Sequence, residues 1–198
     1  MAIKEITDRL SPAEFEFDMV TLAKHEPSFE RIGNVNVYRV GPIWLNKTKV
    51  FGKLYKYLFV FFAFFKARNL HKKNHYDIIW SMMANYAGFA ALFFKIFNPG
   101  TPFVLSLQEG DPIDYIKRRV RLVYPLFKMI FTKADIIQSI SNYLADFGKS
   151  MGFKNEPIVI PNGVDIKNFQ FSKKTGNKKG TGFKRKRYRS NHNFQTGC

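Results

Sequence analysis

The spacing of apolar and polar residues along this chain changes repeatedly, and each change marks a short strand or a helix. Ile3, Ile6 and Leu10 recur at i, i+3 and i+7, so the chain opens in a helix that Ser11-Pro12 ends. Phe15 to Leu22 and Val35 to Val40 read as strands, Gly41-Pro42 breaks the chain, and Phe51 to Lys73 reads as a long aromatic helix. A strand at Ile78–Ser81, a helix at Asn85–Phe97, a breaker at Asn98-Pro99-Gly100 and a strand at Phe103–Leu107 follow. Ile113 to Thr132 is helical with an interruption near Pro125. Next come a strand at Asp135–Ser139, then a helix at Asn142–Met151 capped by Ser141, with Leu144, Phe147 and Met151 on one face and Gly152 just past its end. The last strand, Ile158–Ile160, stops at Pro161, which has no N–H for a ladder, and Asn162-Gly163 is a turn pair able to take φ > 0. Short strands alternating with helices predict an α/β fold, a parallel sheet flanked by helices, with no internal repeat.

The longest apolar run, Tyr57 to Phe65, has two readings. As a helix it is about 13 Å long at roughly 1.5 Å per residue, and a bilayer core needs about 20 residues, so it does not span a membrane. It is either a helix buried under the sheet or a membrane-facing helix, its aromatics ringed by Lys53, Lys56, Lys66, Arg68, Lys72 and Lys73. If it is core, Phe61→Asp should unfold the chain.

Charge separates the chain into two parts. The 198 residues hold 32 Lys/Arg and 15 Asp/Glu, a net +17. Nine of those cations and none of the acids lie in residues 171–198, which leaves residues 1–170 at +8. The tail lacks the periodicity of a core and is expected to be disordered, with anionic surfaces or nucleic acid as its natural partners. Cys198, the single cysteine, excludes a disulfide framework and is compatible with a reducing, cytoplasmic compartment. The opening Met-Ala-Ile-Lys-Glu-Ile is no signal-peptide core. His71 and His75 have the i, i+4 spacing of helical metal ligands, but without carboxylate or cysteine partners a solvated basic patch is the expectation, and no metal site is expected.

Two motifs carry a resemblance. Ala134-Asp135-Ile136-Ile137-Gln138-Ser139-Ile140-Ser141 is followed, after one helix, by Pro161-Asn162-Gly163-Val164-Asp165. This order is similar to the N-terminal domain of the retaining GT-B, family 4-like glycosyltransferases, over roughly residues 3 to 170. Asp77-Ile78-Ile79-Trp80-Ser81 resembles that family's D-I-I-H strand, and Pro102 to Asp111 its P-x-V-x-T-x-H-G-x-D segment, with Glu109 where many members have His. The resemblance implies a Rossmann-like half of a GT-B fold that faces the acceptor. It also implies that the family's first strand and Gly-rich loop lie before residue 1, and that the donor nucleotide-sugar is held chiefly by a C-terminal domain. Asn162 and Gly163 become the interdomain hinge. On this view residues 171–198 are a frameshifted start of the second domain: one permitted one-base shift of Gly182–Cys198 gives D-L-K-E-R-D-T-E-V-I-I-I-S-R-L-V, similar to that domain's opening strand.

Candidate binding residues lie where an α/β sheet places ligand groups, past the carboxyl ends of its strands. Glu109, Gly110 and Asp111 follow one strand; Ser81, Asn85 and Tyr86 follow another. Each has a structural alternative: Asp111-Pro112 reads equally well as a helix cap, Asn85 as the cap of its own helix, and Glu109 has no evident capping duty. No catalytic residue is assigned, and no cofactor beyond the nucleotide-sugar co-substrate is expected. The resemblance implies sugar transfer to a glycan or lipid-linked acceptor in polysaccharide biosynthesis, in the cytoplasm or at the inner face of the membrane through Phe51–Lys73, by a fragment inactive alone. The alternative is a non-catalytic basic module on an anionic membrane or, less expected, nucleic acid.

Overall fold

A computed structural model of the chain describes residues 2–24, 26–42 and 52–163. The tail beyond residue 163, and with it the frameshift reading, lies outside the described residues, as does the Phe51 start of the aromatic helix. The elements run α1 (Ala2–Thr7), β1 (Phe17–Leu22), β2 (Phe29–Ile32), β3 (Val35–Val40), α2 (Gly52–Asn74), β4 (Ile79–Met82), α3 (Tyr86–Phe97), β5 (Phe103–Leu107), α4 (Ile113–Arg119), α5 (Tyr124–Lys133), β6 (Ile136–Ser139), α6 (Asn142–Ser150) and β7 (Ile158–Val159). The fold is α/β, with a parallel four-stranded sheet flanked by helices, consistent with a Rossmann-like half.

Strands β4 to β7 lie side by side in chain order, all parallel. Their inward residues Phe103, Leu105, Leu107 and Ile137 are fully buried against Leu92 of α3, Phe127, Ile130 and Phe131 of α5, and Leu144 and Phe147 of α6. Helix α3 comes close because Gly88 sits at the contact: a Cβ there would lie 3.3 Å from Ile130 Cδ1 and from the Met83 carbonyl. The alternate residues of the same strands are unevenly covered: Ser106 is buried, whereas Ile136 is 41 % and Ile158 52 % exposed. Trp80, paired with Val104, donates from Nε1 to Ser106 Oγ at 2.8 Å.

Strands β1, β3 and β2 form a second sheet. Among the described residues it has no ladder to β4, whereas the sequence predicted one sheet. Strand β2 was not predicted. It is the first arm of a hairpin whose two-residue turn is Gly33-Asn34, Gly33 at φ +58°, pairing Ile32 with Val35. That Gly-Asn pair was the readable signal. Helix α2 lies between the smaller sheet and α3: Phe59, Val60 and Ala63 pack on Val20, Leu22 and Val40 on one side and on Ala90 and Phe93 of α3 on the other.

The two readings of α2 are both partly right. Tyr55, Phe59, Val60, Ala63 and Phe64 are buried, but Tyr57, Phe61 and Phe65 are 53 %, 55 % and 62 % exposed. Phe61 is therefore not core, and the unfolding expected of Phe61→Asp belongs to Phe59 or Phe64 instead. The break in the helical stretch after residue 113 falls at Val120 and a 3-10 turn over Arg121–Val123, while Pro125 starts α5 at a position that tolerates it.

Candidate functional site

The carboxyl ends of β4, β5 and β6 lie together, with Met82, Ser106 and Gln138 in register. Past the end of β4 the chain folds over β5: Met83 takes φ +68° and its N–H donates to the Ser106 carbonyl at 2.8 Å. A positive φ at a residue with a long side chain is rare and marks a conformation that surrounding contacts impose. The Ala84 N–H that this turn presents donates to Glu109 Oε1 at 2.6 Å. Glu109 therefore has a structural bond that the sequence did not show, two residues beyond the last residue of β5. Its other oxygen, Oε2, is buried and has no hydrogen-bond partner among the described residues. Burial pushes the Glu109 carboxyl above its ordinary range, partly offset by the N–H groups of Ala84, Glu109 and Gln108. A second orphan lies at the neighbouring strand end, the buried Ser139 Oγ. It belongs to the Ala134–Ser141 motif but was not singled out as a ligand group.

The other predicted residues divide. Asn85 caps α3, its Oδ1 accepting from the Ala87 N–H at 3.0 Å. Ser81 is buried, paired with core Leu105, and donates to the Met83 carbonyl at 3.4 Å, so it supports the turn from below. Tyr86 is half-buried beside the site; its hydroxyl accepts from Arg119 Nη2 at 3.2 Å and its ring meets Tyr57 edge-on at 5.5 Å. Gly110 and Asp111 are exposed, and Asp111 caps nothing, because the residue preceding α4 is Pro112 without a side-chain cap bond. Asn162 and Gly163 are exposed at the far end of β7, and neither uses the positive φ open to it.

The Asp of the Ala-Asp motif is at the opposite edge of the sheet. Asp135 Oδ2 accepts from the Phe103 N–H at 2.6 Å and from Lys95 Nζ at 2.8 Å, and its own N–H donates to the Phe103 carbonyl at 2.9 Å. Burial pushes this carboxyl up, but Lys95 and the Phe103 N–H outweigh it and hold it below the usual range. Asp135 thus sews β6 to β5 and α3. A similar clasp, unseen in the sequence, ties β1 to the end of α2 and the turn leading into β4: Asp18 on β1 accepts from the Tyr76 hydroxyl, from Asn74 Nδ2 at 3.2 Å and, within its own sheet, from Asn36 Nδ2 at 2.9 Å. Burial and this carboxylate raise the Tyr76 pKa far above the ordinary phenol. The histidines divide: His75 is exposed beside exposed Lys72 and Lys73, as a solvated patch would be, whereas His71 is half-buried, edge-on to Phe94 at 5.2 Å and stacked on Tyr76 at 6.1 Å.

An arrangement with acceptor groups at strand ends, above a sewn parallel sheet, can hold a polyhydroxyl ligand by hydrogen bonds. No curated protein matches the chain. The family model described as Glycosyltransferase Family 4 matches residues 2–168, which includes every element of the fold, both sheets and the strand-end cluster around Glu109. A match over that share of the chain decides its kinship: the protein belongs to Glycosyltransferase Family 4.

Proposed function

We propose that this chain is the acceptor-side half of a retaining GT-B glycosyltransferase, and that Glu109 holds the acceptor. The observation that carries this reading is the Glu109 side chain, anchored through Oε1 to the Ala84 N–H with Oε2 buried and unspent. A carboxylate oxygen accepts hydrogen bonds and so needs donors, and a sugar hydroxyl is a donor of the right kind. Bound there, the attacking hydroxyl is fixed in place by a group that does not itself move, which is how positioning lowers a barrier. The buried setting also makes Glu109 a better proton acceptor as negative charge develops on that oxygen. Family membership supports sugar transfer in general. By resemblance, the donor is a nucleotide-sugar, and the groups that stabilise its departing diphosphate belong to a second, donor-binding domain. We propose a glycan or lipid-linked acceptor, a cytoplasmic setting, and no transfer by this chain alone.

Two experiments test it. Purified chain given a panel of nucleotide-sugars and acceptors should transfer nothing, and clear transfer without a second domain would end the claim of inactivity. Saturation-transfer NMR with short alkyl glucosides and galactosides should show contact with the chain that Glu109→Ala loses. Equal contact in that variant would remove Glu109 from the acceptor site.

A further inference from the structure

We propose that the outer side of α2 and the corner between α4 and α5 form one docking surface for an anionic lipid bilayer. The proposal goes beyond sugar transfer and holds whether or not the chain transfers sugar. Helix α2 is apolar on both sides; one is buried on the smaller sheet and α3, and the other, though Tyr57 touches Tyr86 and Phe61 stacks on Phe93, is only partly covered among the described residues. The other shows Tyr57, Phe61 and Phe65 at i, i+4 and i+8, each more than half exposed. No helix among the described residues is long and apolar enough to cross a membrane, so this side meets a surface and does not span it. The α4–α5 corner repeats the chemistry on a different element. Leu122 is 96 % exposed, and Tyr115, Tyr124 and Leu126 around it are 46 %, 37 % and 38 % exposed. Exposed apolar groups gathered this way mark a contact surface.

The two patches are continuous. Tyr57 of α2 meets Tyr86 of α3 edge-on, and the Arg119 guanidinium of α4 lies 5.9 Å from the Tyr86 ring centre while Nη2 donates to its hydroxyl. Tyr115, Arg118 and Arg119 line a shallow groove of about 460 Å³ beside that contact.

Charge chooses the occupant. Residues 52–74 contain six Lys/Arg and no acid, and so do residues 115–133. A second copy of this surface would set those cations against their own kind. An anionic bilayer accepts cations and apolar groups together: lysine and arginine at the headgroups, tyrosine at the boundary, leucine and phenylalanine below it. Each cation near such a surface strengthens binding about fivefold, and each buried leucine or phenylalanine by about tenfold or more. Because Tyr86 stands beside the Glu109 turn, docking here brings the carboxyl edge of the sheet next to the bilayer.

The test uses the full chain with Cys198→Ser and an environment-sensitive fluorophore on Leu122→Cys, on Phe61→Cys or, as control, on Lys154→Cys, an exposed loop position that belongs to neither α2 nor the α4–α5 corner. Vesicles of phosphatidylcholine alone and of phosphatidylcholine with phosphatidylglycerol are compared. With the anionic vesicles, the labels at 122 and 61 should shift to the blue and be quenched by brominated lipid, and the label at 154 should do neither. Leu122→Asp should weaken partitioning about tenfold; the side chain is almost wholly exposed, so the fold survives the change. Arg118→Gln and Arg121→Gln should each weaken it about fivefold, with the loss shrinking in high salt. If the chain sediments with anionic vesicles while both labels stay in water, only the basic tail binds and the proposal fails. It also fails if Leu122→Asp instead changes self-association without vesicles, seen by analytical ultracentrifugation, because the surface then belongs to a second copy.

Discussion

The two sheets of this domain are built from strands of similar composition, yet one is buried far more completely than the other, whose deepest residues are Val35 and Val37 of β3. In β5, Phe103, Leu105 and Leu107 are all fully buried; in β1, Phe-Asp-Met-Val-Thr-Leu has no fully buried residue, and Phe29 on β2 is 52 % exposed. The difference lies in what covers them. The four-stranded sheet has α3, α5 and α6 supplying fully buried partners, whereas the three-stranded sheet shares α2 with α3. Burial in a sheet follows from the helices its connections deliver, more than from the hydrophobicity of its own strands.

The sharpest way to break that contrast is to cut into each sheet's packing. Phe131→Ala, which empties a fully buried site between Phe127 and Phe147, should cost about 3–5 kcal/mol, whereas Phe29→Ala should cost under about 1 kcal/mol. Urea melts measure both, and equal losses would show that the three-stranded sheet is as well held as its neighbour.

Asp135→Ala probes how the four-stranded sheet is sewn. Removing the carboxylate leaves the Phe103 N–H without its acceptor, at a cost of about 1–3 kcal/mol. The ion pair with Lys95 adds little, since the Asp135 side chain is 45 % exposed. The folded pKa is lowered, so this stability is fully present above the ordinary carboxyl value and fades as pH falls through the folded one. The variant and the parent should therefore converge in acid.

Tyr76→Phe removes one of three donors to Asp18 and loosens the hold of β1 on the turn between α2 and β4, by about 1 kcal/mol. Its effect should appear as faster amide exchange in β1 and β3 with β5 and β6 unchanged; uniform loosening would mean that the sheets open together.

The smallest effect has the opposite sign. Burial raises the Glu109 pKa, so the folded chain holds that proton more tightly than the unfolded chain, and ionisation costs stability as pH rises through the folded value. Glu109→Gln keeps an acceptor for the Ala84 N–H and should match the parent in acid. Near neutral pH it should be equal or up to about 1 kcal/mol more stable. A thermal melt series across pH reads this, and a clear loss at neutral pH would mean that the carboxylate itself is needed for the fold.

What the sequence disclosed was local or periodic. Strand Phe103–Leu107 and the Asn85 and Ser141 caps were legible because period and cap chemistry sit within a few residues. The division into two sheets was not, because it depends on which strands meet across long separations. The roles within the Ala134–Ser141 motif were hidden for the same reason: Asp135 acts on Phe103 and Lys95, far away in the chain, and the motif itself says nothing of that. Glu109 was singled out by its place after a strand, but its bond to Ala84 depends on the Met83 turn, whose positive φ no residue type announces. On α2, composition showed an aromatic helix; only packing told Phe59 from Phe61.

The strand order of the larger sheet also bears on how the chain is made. Because β4, β5, β6 and β7 lie in the order in which they leave the ribosome, each new strand and helix docks on an edge that already exists. Growth of this kind closes only short loops and can proceed during synthesis, one unit at a time. In the smaller sheet β1 pairs with β3 alone and must wait for the β2 hairpin to fold back before it has any partner. The half of the domain that is synthesised first is thus the half that gains its final contacts late, once α2 and α3 have emerged to receive it.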